Sequence, residues 1–176
     1  MIKDKLPPSI EANWILLEPR AHQIRVPIND TRRQITEFLR RGGTGQLEDA
    51  EGNTIIEEVS KQYSPTEYEN CAEFALSLAG KIAHPPITTL LWNIPTETLR
   101  TYGYEIANDY LQPDDIVAYR LIEAGAPRAV THFGILQADS LVLSKLGMGD
   151  AGIYRHKLQA VPVSCGDVAE FYRYAA

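Results

Sequence analysis

The chain has 176 residues, of which 44% are hydrophobic and 23% charged, the composition of one globular domain rather than of a disordered chain. A net charge of -6 and a pI near 5.2 argue against nucleic acid as the main partner, because phosphate binding needs a concentrated positive surface. With no run of about 18 apolar residues and no apolar N-terminal signal core, we expect no membrane partner and a cytoplasmic location, with signal-independent secretion left open.

The first 64 residues contain no chemical motif, and we expect them to form a wrap or lid of unknown role. Their predicted elements are an irregular lead-in over residues 1–13, short strands at 14–17 and 22–26, a helix from 29 or 30 to about 41, and an undecided strand or helix at 53–63. We assign the arginines of the helix to its solvated side: Arg32, Arg33, Arg40 and Arg41.

A short helix is predicted to begin at Cys71, with Asn70 as its N-cap. A thiol in the first turn lies at the positive end of the helix dipole, which lowers its pKa and favours the nucleophilic thiolate. The same N–H groups, that of Cys71 included, can stabilise the oxyanion of an attacked carbonyl. The alternative is a small apolar residue in a buried helix, because free cysteine is among the most buried residue types.

The second half predicts another helix from Pro95 to about Tyr102 and then a series of strands. The strands are expected at residues 103–107, 116–120, 129–136, 140–144 and 153–163, before a closing helix over 166–176. Short connections between strands indicate an antiparallel meander. We therefore predict one α+β domain over residues 1–176, with a catalytic core at 65–165.

His132 lies in the middle of the strand predicted at 129–136, where alternation puts it on one face with Gly134. If the Cys71 helix packs over that face, the imidazole can take the thiol proton and later protonate the leaving group. A packing role for His132 is the alternative.

A third polar group usually orients such a histidine, and the next strand offers two residues. Ser144 faces His132 if the loop is the three residues 137–139, and Lys145 does so if the loop has two. Lysine has no acceptor lone pair, so we select Ser144, with Asp150 or a backbone carbonyl as alternatives.

Three short segments in this order resemble the papain-like cysteine peptidases and amidases of the NlpC and CHAP type. They are Asn70-Cys71-Ala72-Glu73-Phe74-Ala75, Pro113-Asp114-Asp115-Ile116-Val117-Ala118-Tyr119 and Thr131-His132-Phe133-Gly134-Ile135. The resemblance implies a papain-like α+β fold with an N-terminal nucleophile helix packed on a small antiparallel sheet. It also implies Cys71 as nucleophile, His132 as base and a third polar residue at position 144.

The chain departs from that family at four positions. Asn70 and Ala72 flank Cys71 where peptidoglycan-cleaving members usually have Asp-Cys-Ser, Asp114 stands where the family commonly has glycine, and Ser144 replaces the usual His, Asn, Gln or Glu. The resemblance therefore implies a cysteine hydrolase more firmly than it implies a peptidoglycan substrate.

The expected function is a cysteine hydrolase that cleaves an amide bond through a Cys71 thioester, as a peptidase, amidase or deamidase. A peptide or other amide is the expected substrate, a bacterial cell-wall-peptide amidase effector is one form of this function, and neither cofactor nor metal is required. Tyr68 and Asn70 are expected to line the entrance.

Two other functions compete with the hydrolase. The weak third residue favours a catalytically inactive binding or regulatory module. A zinc site built from Cys71, His132, His156 and Cys165 is a further alternative, although these residues lack the usual ligand spacings.

Overall fold

The computed structural model describes residues 14–15, 23–80, 96–107, 111–123, 126–147 and 150–175. For residues 14–15, 96–98, 123 and 126–129 only the backbone is described. The predicted lead-in at 1–13 and the helix start at Pro95 lie outside these ranges.

Ten strands form one antiparallel sheet that dominates the described part of the chain. The strands are β1 Trp14–Ile15, β2 Gln23–Arg25, β3 Gln46–Glu48, β4 Thr54–Glu58, β5 Tyr104–Ile106, β6 Ile116–Glu123, β7 Ala126–Leu136, β8 Leu141–Lys145, β9 Ile153–Lys157 and β10 Val168–Tyr174. Their order across the sheet is β1-β2-β10-β6-β7-β8-β9-β4-β3, and β5 also pairs with β10. The consecutive run from β6 to β9 confirms the predicted meander.

The described ranges contain three short α-helices: α1 Asp30–Arg40, α2 Cys71–Leu78 and α3 Thr96–Thr101. Single 3-10 turns occur at Ser60–Gln62, Pro65–Glu67 and Val163–Cys165. The predicted helix starting at residue 29 or 30, the helix starting at Cys71 and the helix near residues 96–101 are therefore confirmed as elements.

The expected fold class is wrong. A nucleophile helix packed on a small sheet was anticipated, whereas one large antiparallel sheet is accompanied by a few short helices. The undecided segment at 53–63 supplies the strand β4, and the expected closing helix is the strand β10. Both segments add strands where the papain-like expectation needed none, so the sheet extends well beyond the meander.

Both faces of the strand β10 are buried. All five residues from Val168 to Tyr172 are buried, and a strand covered on both sides shows a nearly continuous apolar run rather than simple alternation. Its only buried charge, Glu170, accepts hydrogen bonds from Gln23, Arg120 and Tyr172. A run of this kind also fits a buried helix, so periodicity alone does not separate the two structures.

The central strands separate two apolar cores. The helix-side core packs α2 against one face of the sheet and includes Ala72, Phe74, Ala118, Phe133 and Ile135. The opposite core covers the other face and includes Val117, Tyr119, Leu136, Val142 and Phe171. Residues that alternate along β6 and β7 thus belong to different cores.

Arg32 is buried, contrary to its expected place on the solvated side of α1. Its guanidinium donates to five backbone carbonyl oxygens, those of Val26, Val161, Pro162, Val163 and Gly166. An arginine fork holds several acceptors at once, so this side chain joins α1 to the segment that leads into β10.

Candidate functional site

Cys71 is the first residue of α2, as its sequence context predicts. The Asn70 side chain accepts a hydrogen bond from the Glu73 backbone N–H at 2.9 Å and so caps the helix. The Glu73 carboxylate in turn accepts from the Glu69 backbone N–H at 2.6 Å. These local bonds fix the place where the helix starts, and with it the position of the thiol.

The two residues expected to line the entrance have structural contacts as well. Tyr68 packs edge-on against Phe74, with ring centroids 5.2 Å apart, and Asn70 serves as the helix cap. Both are half-buried. Their role toward a substrate stays a prediction.

Cys71 is half-buried as a residue, and burial of its thiol raises the pKa of that group. The backbone N–H groups of Phe133, Cys71 and Ala72 act in the other direction, as does the positive charge of Lys145. The sequence predicts a lowered pKa from the helix dipole, whereas desolvation outweighs the dipole and the N–H groups. The resting residue is therefore a thiol at neutral pH, already surrounded by donors suited to a developing negative charge.

His132 lies on the sheet face opposite α2. Its cross-strand partner is Tyr119, which belongs to the opposite core. Phe133, the residue that follows His132 in β7, pairs with Ala118, and both belong to the helix-side core. The imidazole packs on the Tyr119 ring at a centroid distance of 5.6 Å. Its Nε2 is buried without a hydrogen-bond partner among the described residues. Burial, with a smaller contribution from His156, lowers the pKa of His132 to about 3.

The structure does not bring Cys71 and His132 together. α2 packs on the face that carries Phe133 and Ile135, whereas a thiol–imidazole pair requires the helix on the His132 face. In the ranges that the structure describes, no hydrogen bond joins the Cys71 sulfur to either nitrogen of His132. The pairing of Cys71 with His132 required α2 to pack over the His132 face, and α2 packs over the other face.

Ser144 lies on the His132 face, but its partner is a different histidine. Its Oγ is 2.7 Å from the Nε2 of His156, and the Nδ1 of that ring is 2.8 Å from the Lys157 carbonyl oxygen. A carbonyl only accepts, so Nδ1 carries the ring proton and Nε2 accepts from the Ser144 hydroxyl. Ser144 is 0% exposed, and a Cβ at Gly134 would lie 2.8 Å from its Oγ. This serine is therefore tightly packed in the opposite core.

Lys145, which was rejected above as the third polar group, lies on the same side of the sheet as α2, and its charge acts on the Cys71 thiol. In the register of β7 with β8, Ile135 lies opposite Leu143. Continued by two residues, the same register places Phe133 opposite Lys145, on the side of the sheet that α2 covers. The Lys145 Nζ donates to the Pro65 and Ala151 carbonyl oxygens, each at 2.9 Å. Its inability to accept a hydrogen bond excluded it as the third group of a triad, yet a positive charge near a thiol needs no acceptor.

The zinc alternative finds no support in the described ranges, where no three His, Cys, Asp or Glu side chains are grouped to hold a metal ion. Cys165 is a buried free thiol, and burial is also the main cause of its raised pKa. No helix in the part of the chain that is described is long and apolar enough to span a bilayer.

A surface pocket of about 440 Å³ lies away from these residues. It is formed by the start of α1, the start of β8, the end of β9 and the loop before β4. Its lining residues include Asp49, Asp139, Lys157 and Gln159. None of Cys71, His132, Ser144, Tyr68 or Asn70 lines it. The pocket therefore does not contribute to the Cys71 site.

Comparison with protein-family models, with curated proteins and with solved structures finds no match for this chain.

Proposed function

We propose that the protein is a cysteine hydrolase acting on an amide bond, with Cys71 as its nucleophile. One observation carries the proposal: Cys71, at the start of α2, is half-buried, and the backbone N–H groups of Phe133, Cys71 and Ala72, the first from a separate strand, favour its thiolate. Donors held in advance near a reacting carbonyl are the main means by which acyl-transfer enzymes stabilise an oxyanion. The buried cation of Lys145 adds positive charge to the same place.

The reaction follows from the chemistry of a thiol at such a site. The Cys71 sulfur attacks the amide carbonyl carbon, the carbon–nitrogen bond breaks, and the thiol proton ends on the leaving amine. Water then attacks the thioester and releases a carboxylic acid and the free thiol. The proposal assigns no proton transfer to His132, because the sheet lies between this residue and α2.

Acylation of Cys71 is the direct test. The protein is treated with p-nitrophenyl acetate, and peptide mass spectrometry locates the acetyl group; a panel of peptide amides is then assayed for cleavage. We expect a thioester at Cys71 and amide cleavage that Cys71→Ala abolishes. Cys165→Ala, which removes the buried second thiol, is the matched control and should leave both signals in place. Amide cleavage that survives in Cys71→Ala would refute the proposal.

A catalytically inactive binding or regulatory module is the second candidate. The observations in its favour are the raised pKa of Cys71 and the separation of this residue from His132. Such a protein would alkylate with iodoacetamide at pH about 6 no faster than a model thiol, because an activated thiolate reacts where an ordinary thiol does not. Faster alkylation than the model thiol would favour the hydrolase.

A cell-wall peptide is one substrate class within the hydrolase proposal. Directing the protein to the periplasm of a bacterial host tests this class, with Cys71→Ala directed in the same way as the control. Lysis that depends on Cys71 would identify cell-wall amides as substrates. Growth that is unaffected by the wild-type protein would leave other peptide amides as the substrate class.

A further inference from the structure

We propose that Lys145 is the positioning residue of the Cys71 site: its buried ammonium holds the segment before α2 against the end of β8 and places a positive charge beside the thiol. This role of Lys145 in catalysis rests on the proposed hydrolase function. Its physical content, a coupled pair formed by Lys145 and Cys71, is measurable without any substrate.

Lys145 connects the segment before α2 to the sheet. Pro65 lies in the 3-10 turn that precedes α2, and its carbonyl oxygen accepts from Lys145 Nζ at 2.9 Å. The same Nζ donates to the carbonyl oxygen of Ala151, in the segment that enters β9. One side chain thus fastens the approach to α2 to two strands of the sheet. Because Cys71 is the first residue of that helix, its position depends on this attachment.

The charge of Lys145 is buried. Lys145 is 0% exposed, and lysine is almost never fully buried unless it has partners. A buried ammonium carries a desolvation cost that an apolar residue of similar length would avoid. The carbonyl oxygens of Pro65 and Ala151 accept from two of its protons, and its net positive charge acts on the neighbouring groups as well.

Charged groups from several elements surround the pair. Burial lowers the pKa of Lys145, whereas Asp150 from the segment before β9, and Cys71 and Glu73 from α2, act in the other direction and favour its protonated form. The Lys145 charge lowers the pKa of Cys71, and Cys71 in turn contributes to the raised pKa of the Cys165 thiol. Among these groups, Lys145 is therefore the cation that lowers the pKa of the Cys71 thiol.

The experiment measures the rate of Cys71 alkylation by iodoacetamide against pH, with peptide mass spectrometry to separate Cys71 from Cys165. Lys145→Gln keeps hydrogen-bond donors for the two carbonyl oxygens but removes the charge, and Lys145→Arg keeps the charge. Lys157→Gln removes an exposed lysine and is the matched control. We expect Lys145→Gln to shift the midpoint upward by about one pH unit, which is about a tenfold slower reaction below the midpoint. Lys145→Arg and Lys157→Gln should remain close to the wild type.

A reciprocal measurement leaves Lys145 intact, and therefore serves even if its variants do not fold. The 13Cε resonance of Lys145 is titrated by NMR in the wild-type protein and in Cys71→Ser. Coupling requires a lower Lys145 pKa when the thiolate is absent, because linkage between two sites acts in both directions. Identical alkylation profiles in the wild type and Lys145→Gln, or identical Lys145 titrations in the two proteins, would overturn the proposal. A shifted profile in a protein that cleaves no amide would sustain the pair and refute only the hydrolase.

Discussion

Asn70 sets the starting point of α2, and with it the location of the thiol. Its side-chain oxygen accepts the Glu73 N–H at 2.9 Å, which satisfies one of the unpaired donors in the first turn. We expect Asn70→Ala to lower the free energy of unfolding by about 1 kcal/mol, and Asn70→Asp, which keeps an acceptor, to cost much less. Urea unfolding of both variants measures the difference. Equal stabilities would show that the cap does not stabilise this helix.

The pair formed by Ser144 and His156 predicts a loss of stability in acid. Burial lowers the pKa of His156 from 6.5 to about 4, so the native ring stays neutral while the unfolded chain takes up a proton below pH 6.5. The contribution of this ring to stability is complete above pH 6.5 and is lost as the pH falls toward 4. Over that range we expect about 1.4 kcal/mol of stability to be lost per pH unit for this one histidine.

Urea unfolding across this pH range tests the expectation, and His156→Gln is the control. Glutamine keeps an acceptor for Ser144 and a donor for the Lys157 carbonyl but does not titrate. The pH dependence of its stability should therefore be shallower than that of the wild type. A variant with the wild-type pH dependence would assign the acid sensitivity to other groups, with His132 as the next one to examine.

The sequence predicts Cys71 and Asn70 well because caps and helix starts depend on a few adjacent residues. It does not predict which side of the sheet α2 covers, because alternation gives two faces to β7 without saying which one faces a helix. Long-range packing makes that choice, and here it selects Phe133 and Ile135 instead of His132. Lys145 was considered and rejected because it has no acceptor lone pair, and its face follows from a register that the loop length leaves undecided.

At the scale of elements, α1 and the segment before β10 depend on one arginine. Replacing Arg32 by methionine would leave several buried carbonyl oxygens without a donor, at a cost of about 3 kcal/mol or more. Among the residues that the structure describes, the side chain of the neighbouring Arg33 forms one exposed ion pair, with Asp30, so Arg33→Met should change the stability by less than about 0.5 kcal/mol. Chemical unfolding compares the two variants. Similar stabilities would show that the carbonyl contacts of Arg32 contribute little.

The strands β6 to β9 were predictable because short connections force neighbouring strands to pair. β10 was not predictable, because residues 168–172 are apolar enough to suit a helix or a strand buried on both faces. Its identity is decided by neighbours far away in the sequence, with β2 and β5 on one edge and β6 on the other.

At the scale of the whole molecule, a broad sheet separates two polar groups that the sequence argument joined. One side carries Cys71, Lys145 and the start of α2, and the other carries His132, Ser144 and His156. The residues of a Cys-His site were found from their types and spacing, but spacing along the chain does not specify a shared face. We therefore expect backbone N–H groups and the buried cation of Lys145, and not His132, to stabilise negative charge at Cys71.

The most direct test is the single-turnover rate of Cys71 acylation by p-nitrophenyl acetate in the wild type and in His132→Gln, with circular dichroism to confirm folding. An imidazole that acts as general base contributes about 100-fold or more, and an imidazole behind the sheet contributes nothing to this step. We predict that His132→Gln stays within about threefold of the wild type while Cys71→Ala is not acylated. A loss of about 100-fold in a folded His132→Gln protein would contradict the account and would place the imidazole beside the thiol.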